Sequence, residues 1–240
     1  MTLTVSQFLH FTRCPALYEL ADIQGVPMAP TTRQVVSRAV RSVVLQECQT
    51  KIDTGAISDV KEARQRVERA VQAEMAQDIA YTREEAARGQ RTAFERALQS
   101  VVALVNLWRA AVAPRIQPAV VSSLFDWASL SGVFEVVEFG NVRLTRVRSR
   151  RPAADEAQND ITVAVHMAAS GKTVIVDYLI ESDPLVVDRQ TVEYDEAKVV
   201  ALRERVRQMV ACVEAGVFPP TDPAYWRCQS CSLRMCCRYV

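Results

Sequence analysis

Four of the chain's seven cysteines fall between Cys228 and Val240, and three of them are spaced as Cys228-x2-Cys231-x5-Cys237. Two thiolates separated by two residues occupy one tight turn and can converge on a single ion, and thiolates are soft donors that suit soft metals. Such clustering reads as ligation in a reducing compartment and not as a disulfide framework. Three ligands leave a fourth position open. Cys236, Cys212, Cys48, Cys14 and a nonprotein group are all candidates for it, and a zinc site or a set of buried thiols are the competing readings. Cys48 and Cys212 lie in helical stretches, where a free cysteine usually behaves as a small buried hydrophobe.

A second group is basic. Arg143, Arg146, Arg148, Arg150 and Arg151 occur with no acid among them, just after Glu135 and Glu138. On a strand, alternation places Arg146, Arg148 and Arg150 on one face and Arg143 on the other, with Arg151 joining Arg143 if the strand persists. A guanidinium cannot ligate a divalent cation, but it holds phosphate through charge-assisted hydrogen bonds. The segment therefore reads as a nucleic-acid contact, an acidic-partner contact or a solvated basic strand.

These residues sit in a chain of 240 residues that is 49% hydrophobic and 24% charged, with a formal charge of +1. That composition supports a folded core and excludes disorder as the main state. No basic start followed by an apolar run opens the chain, and no uninterrupted apolar stretch reaches membrane-spanning length, so a cytoplasmic protein without a membrane partner is expected. Neither a GxGxxG fingerprint nor a GxxxxGK[ST] loop occurs, which removes the usual dinucleotide and nucleotide-triphosphate signatures.

The elements that must position these groups change character along the chain. Ser6 can cap a short helix that Pro15 interrupts after Cys14, and residues 25 to 31 read as a loop. Helical spacing follows over Arg33 to Glu47, 58 to 78 and 81 to 111. After Pro114 and Pro118, strands are expected at 120–127, 132–139 and 141–148, the last two joined by a tight turn at Gly140-Asn141. A short helix from Glu156 to Ala169, an apolar strand from Lys172 to Ile180, and a long helix from Asp195 to Gly216 complete the pattern.

Taken together, Ser6-x2-Leu9, Cys14-Pro15-x2-Tyr18, Gly216-x-Phe218-Pro219 and the final three spaced cysteines resemble the iron-sulfur branch of the RecB-like PD-(D/E)XK nucleases. That branch includes CRISPR-associated exonucleases and AddB-type nuclease domains. The resemblance spans nearly the whole chain and implies an α/β fold in which a helical N-terminal half packs on a nuclease-like mixed β-sheet core. It implies one domain over 1–240, with cluster-binding ends at 1–24 and 216–240, a helical portion at 25–113 and a sheet-and-helix core at 114–215. It also selects Cys14 as the fourth ligand, so that Cys14, Cys228, Cys231 and Cys237 hold a [4Fe-4S] cluster joining the termini.

The resemblance further locates a nuclease site that has lost its chemistry. The family's metal-binding aspartate falls at Glu135. Its second acid and lysine fall at Arg146 and Arg148, and its helical histidine falls near Val40. A rival register places the acid strand at Val174 to Leu179, with Asp177 as the acid, but leaves too little chain before Cys228 for the expected elements. The expected protein is therefore noncatalytic, with Glu135, Arg146 and Arg148 as degenerate positions. Arg143, Arg146, Arg148, Arg150 and Arg151 are the candidate nucleic-acid-binding residues. Its partners would be DNA and the subunits of a CRISPR-like, recombination-like or helicase complex. The alternatives are an active Mg2+- or Mn2+-dependent DNA exonuclease, with Glu135 and a displaced acid such as Asp155 or Glu156, and a purely architectural subunit.

Overall fold

In the computed structural model, which describes residues 2–220 together with Cys228, Cys231, Leu233, Cys236 and Cys237, helices begin where side chains can cap them. Strand β1 (Leu3–Thr4) leads into α1 (Val5–Arg13), and the cap is Thr4, not Ser6: Thr4 and Gln7 satisfy each other's backbone amides in a capping box. Pro15 opens α2 (Pro15–Tyr18) directly after Cys14, and a π turn over Glu19–Ile23 follows. Thr31 with Gln34 caps α3 (Thr32–Thr54), and Asp59 caps α4 (Val60–Met75). The helix expected over 81–111 is divided into α5 (Arg83–Arg88) and α6 (Gln90–Ala111), because Gly89 adopts φ +85°, outside the helical region.

Helices α3, α4 and α6 share one core. Val36, Val40 and Val43 meet Val67 and Val71, and Val101, Leu104 and Trp108 close the contact. The β-branched run in α3 is helical because this burial outweighs its modest helix propensity. A buried polar knot reinforces the same contact: fully buried Glu47 accepts from Arg66 at 3.2 Å and Arg109 at 2.7 Å, and from the Ser58 hydroxyl. By length and composition alone α6 could cross a membrane, but it buries Ala97, Val101, Leu104 and Trp108 against protein.

The sheet begins as an antiparallel meander of β2 (Val120–Trp127), β3 (Leu130–Val137) and β4 (Asn141–Arg148). The chain then crosses through α7 (Glu156–Asn159) and α8 (Ile161–Ser170) to β5 (Thr173–Ile180), which lies parallel to β4. An additional strand, β6 (Val186–Val192), pairs antiparallel with β5 before α9 (Glu196–Ala215). The order is β1-β3-β4-β5-β6, with β2 also paired to β3. The helical half contributes Val36 and Val43 to a core shared with Val136, Val147 and Leu179 of the sheet. Leu144, Val176 and Tyr178 instead pack with Val163 and Met167 of α8 and Val199 of α9.

Two local features shape the site. At Gly132 the chain passes so close to its neighbours that a Cβ would lie 2.5 Å from Phe125 Cζ and 2.7 Å from Val5 Cγ2. Three residues later the ladder breaks. Strand β2 pairs Val121 with Val136 and Ser123 with Phe134, skipping Ser122 and Glu135, and Ser122 takes a left-handed φ of +54°. Strand β4 pairs with β3 only at Val136–Arg143 and Val137–Val142. The break sends Phe134 and Val136 to different cores and turns Glu135 into the fork between β3 and β4.

Candidate functional site

Glu135 is buried in that fork, and donors engage both of its oxygens. Oε1 accepts from Arg146 Nη1 at 2.7 Å and lies 3.1 Å from Arg41 Nε, while Oε2 accepts from the Thr145 amide at 3.0 Å. Burial opposes ionisation of this carboxyl. The guanidinium groups of Arg146 and Arg41, with the Thr145 amide, outweigh that effect and hold its pKa below the usual glutamate value. Burial likewise works against the charge on Arg146, and Glu135 more than restores it. The side chain of Glu135 is 3% exposed, against 18% for Arg146 and 46% for Arg41. Val40, near which the resemblance implies a histidine, faces the core, and Arg41 beside it reaches the acid instead.

The arginine segment divides as strand alternation requires. Arg146 and Arg148 share a face of β4. Arg148 Nε donates to Glu156 at 3.0 Å, and its guanidinium carbon lies 5.4 Å from the centre of the Tyr178 ring. Burial, then the charges of Asp160 and Glu156, push the Tyr178 hydroxyl pKa up to about 12. Arg150 and Arg151 lie beyond the end of β4 and are exposed. Arg143 does not belong to an accessible basic surface with them. It is buried on the other face, where Nη1 donates to Asp177 at 2.6 Å and Nη2 to Glu138 at 2.9 Å. Asp177 is fully buried and also accepts from Arg189 Nε at 2.7 Å. The rival acid strand is thus β5, with its aspartate committed to two arginines and turned away from Arg146.

Beside Glu135 opens a cavity of about 500 Å3. Arg41 and Arg146 line it together with the first turn of α1, the β3 segment around Gly132, and Thr162 and His166 of α8. His166 Nδ1 lies 2.7 Å from the Thr162 carbonyl oxygen and Nε2 3.2 Å from that of Val133. Burial lowers the His166 pKa, and the hydrogen bond to Thr162 and the Glu135 charge only partly reverse this.

The cysteine group lies at a second place. Leu233 packs with Leu17 and Leu20, and Cys14, Cys231 and Cys237 are partly buried against that small cluster. Cys228 is half-buried and accepts the Cys231 amide at its carbonyl oxygen, while Cys236 is exposed. The remainder of the 216–240 end, beyond residue 220, lies outside the described residues. Among the described residues no group of three or more histidines, cysteines or acids has an arrangement that could hold a metal ion. Cys48 is fully buried, and burial, then the Glu138 charge, push its thiol pKa up to about 12, which makes it an inert core residue. Cys212 is half-buried in α9.

A family model described as the PD-(D/E)XK nuclease superfamily matches residues 2–238. The crystal structure of "Putative exonuclease" from Eubacterium rectale superposes with a TM-score of 0.59 at 12% identity, over 99% of this chain and 87% of that one. The alkaline exonuclease LHK-Exo from Laribacter hongkongensis gives a TM-score of 0.35 at 12% identity, over 74% of this chain and 87% of that one. No curated protein sequence matches the chain.

Proposed function

Because the chain belongs to the PD-(D/E)XK nuclease superfamily, we propose that it uses the nuclease fold to hold nucleic-acid phosphate without cutting it. One observation carries this reading: the Arg146 guanidinium sits on Glu135, where metal-dependent hydrolysis would need a divalent cation on the acid. Arg41 occupies a second approach to the same oxygen, so the carboxylate is neutralised by the chain itself. Arg146 and Arg148 then offer donors to a DNA backbone, with exposed Arg150 and Arg151 beyond them. Arg143 is left out of this surface.

We assign the finer identity to the iron-sulfur branch, with a [4Fe-4S] cluster on Cys14, Cys228, Cys231 and Cys237. The spacing of the thiols supports this, as does the packing of three of them on one apolar patch. Thiolates are the donor type such a cluster takes, although among the described residues the four thiols are not drawn together into a metal-holding group; a cluster on them would tie the N-terminal segment to the C-terminal tail. The proposal places the protein in a reducing, cytoplasmic setting, with DNA and the subunits of a nucleic-acid-processing complex as partners.

The second reading is an active metal-dependent DNA exonuclease, favoured by the superfamily itself. It requires Glu135 to shed two arginines and recruit a displaced acid. Glu156 is already paired with Arg148, and the Asp155 carboxylate accepts from Asn159.

The test is DNA binding by the full chain carrying Arg146→Ala and Arg148→Ala together, with iron content and thermal stability measured alongside. Losing two phosphate contacts should weaken binding across sequences and reduce the magnitude of the negative log-affinity against log-salt slope by roughly 1.4 to 1.8. Unchanged affinity and slope in a folded variant would reject this surface.

A further inference from the structure

We propose that Glu135 is a built-in competitor for an anion in the cavity beside it, so that a nucleic-acid phosphate binds by drawing Arg41 and Arg146 away from their own carboxylate. This deepens the phosphate-binding reading and rests on it.

Two cations and one anion meet at this cavity. Arg41 reaches Glu135 through Nε and Arg146 through Nη1. Among the described residues, Arg41 Nη1 and Nη2 and Arg146 Nε and Nη2 make no hydrogen bond to the protein, so each guanidinium keeps donors for a ligand. The two arginines and Glu135 sum to one positive charge facing a space of about 500 Å3, within the roughly 300–1,000 Å3 usual for small-ligand clefts. The other lining groups suit an oxyanion on a sugar. Ser6, Ser131 and Thr162 bring hydroxyls, and Leu9 and Leu124 bring apolar wall. Ser6 and Thr162 belong to the first turns of α1 and α8, whose leading amides are already capped by Thr4 with Gln7 and by the Asp160 carboxylate, so the arginines and not the helix ends carry the attraction.

Glu135 opposes that ligand directly. Its carboxylate holds the same two guanidinium groups a phosphate would take, and it sits behind them as a fixed like charge. Neutralising it without changing its shape should therefore strengthen anion binding, whereas in a metal-dependent nuclease the same change would remove a ligand and abolish cleavage. Glutamine keeps an oxygen for the Thr145 amide, so the fork retains its backbone hydrogen bond.

The experiment compares the wild-type full chain with Glu135→Gln, Arg41→Ala and the Glu135→Gln/Arg146→Ala pair. The probes are a fluorescent single-stranded DNA oligonucleotide and, separately, inorganic phosphate, with thermal stability followed throughout. Glu135→Gln should tighten oligonucleotide binding about tenfold, the scale of one charge-assisted interaction, and adding Arg146→Ala should remove the gain. Arg41→Ala, a change at a half-exposed side chain, should weaken binding even if Glu135→Gln fails to fold. Tightening toward both probes assigns the cavity to the phosphate group itself, and tightening toward the oligonucleotide alone assigns it to a phosphate within a strand. Unchanged or weaker binding by folded Glu135→Gln would overturn the competition, as would unchanged binding by Arg41→Ala. If Arg146→Ala with Arg148→Ala still weakens DNA binding in that case, the phosphate-binding reading survives alone; if it has no effect, both fall.

Discussion

Arg146 Nη1 lies 2.7 Å from Glu135 Oε1, and this ion pair closes the fork between β3 and β4. Removing one partner leaves the other buried. Arg146→Ala should destabilise the protein by roughly 1–3 kcal/mol, less than a fully isolated buried charge because Arg41 remains beside the carboxylate. Urea denaturation measures the loss, and the Glu135→Gln/Arg146→Ala double variant should lose less than the sum of the single changes. Strict additivity would mean that the two side chains do not act as a pair.

With Mg2+ or Mn2+ supplied, the purified protein should not degrade single-stranded or duplex DNA. A guanidinium stays protonated and offers no lone pair to a metal. The decisive control is Glu135→Ala: robust turnover in the wild type that vanishes in this variant would establish the exonuclease reading, whereas turnover that persists identifies a contaminant.

Protein purified without oxygen should be brown and contain about four irons and four sulfides per chain. Cys14→Ala should lose the colour together with resistance to proteolysis, since a structural metal contributes folding energy as well as bonds. A single zinc without sulfide would exclude the cluster, and unchanged iron in the variant would exclude Cys14.

His166 gives a pH dependence with a defined sign. Its pKa is lowered in the folded state, so the unfolded chain takes up a proton at about pH 6.5 that the folded chain still refuses. Below that pH the unfolded state binds more protons and stability falls; above it the contribution is fully present. Thermal denaturation between pH 7.5 and 5, chosen as roughly one unit or more on either side of that value, should show this decline. His166→Gln, which retains a donor, should flatten it. An identical slope in the variant would show that His166 is not the group responsible.

The fold was legible in the sequence where local pattern and tertiary role agree. The three-strand meander and the crossover to Thr173–Ile180 follow from apolar runs and turn residues, and the separation of Arg143 from Arg146 follows from alternation alone. Other features needed partners distant in sequence. Strand β6 was missed because Val186-Val187-Asp188-Arg189 has no clean alternation, and its identity comes from pairing along β5. Arg143 looked available because neither Asp177 nor Glu138 announces that it will close on the same guanidinium. Arg41 was passed over for a similar reason. The resemblance directs attention to a histidine near Val40, whereas the helix turns Val40 into the core and leaves the next residue to reach the acid.

Gly132 sets a dimension of the molecule by lacking an atom. Its backbone requires no unusual angle, since its φ lies outside the left-handed range, so conformational freedom is not what the position demands. What it supplies is thinness: Phe125 from one side and Val5 from the other occupy the volume a methyl group would fill. Val5 opens the helix whose first turn walls the cavity. Alanine at 132 would therefore act as a spacer, lifting the start of that helix or displacing the phenyl ring, and the distance across which a bound phosphate could touch both walls would grow with it. The width of the cavity beside Glu135 is thus fixed from beneath, by a residue that carries no charge and no side chain.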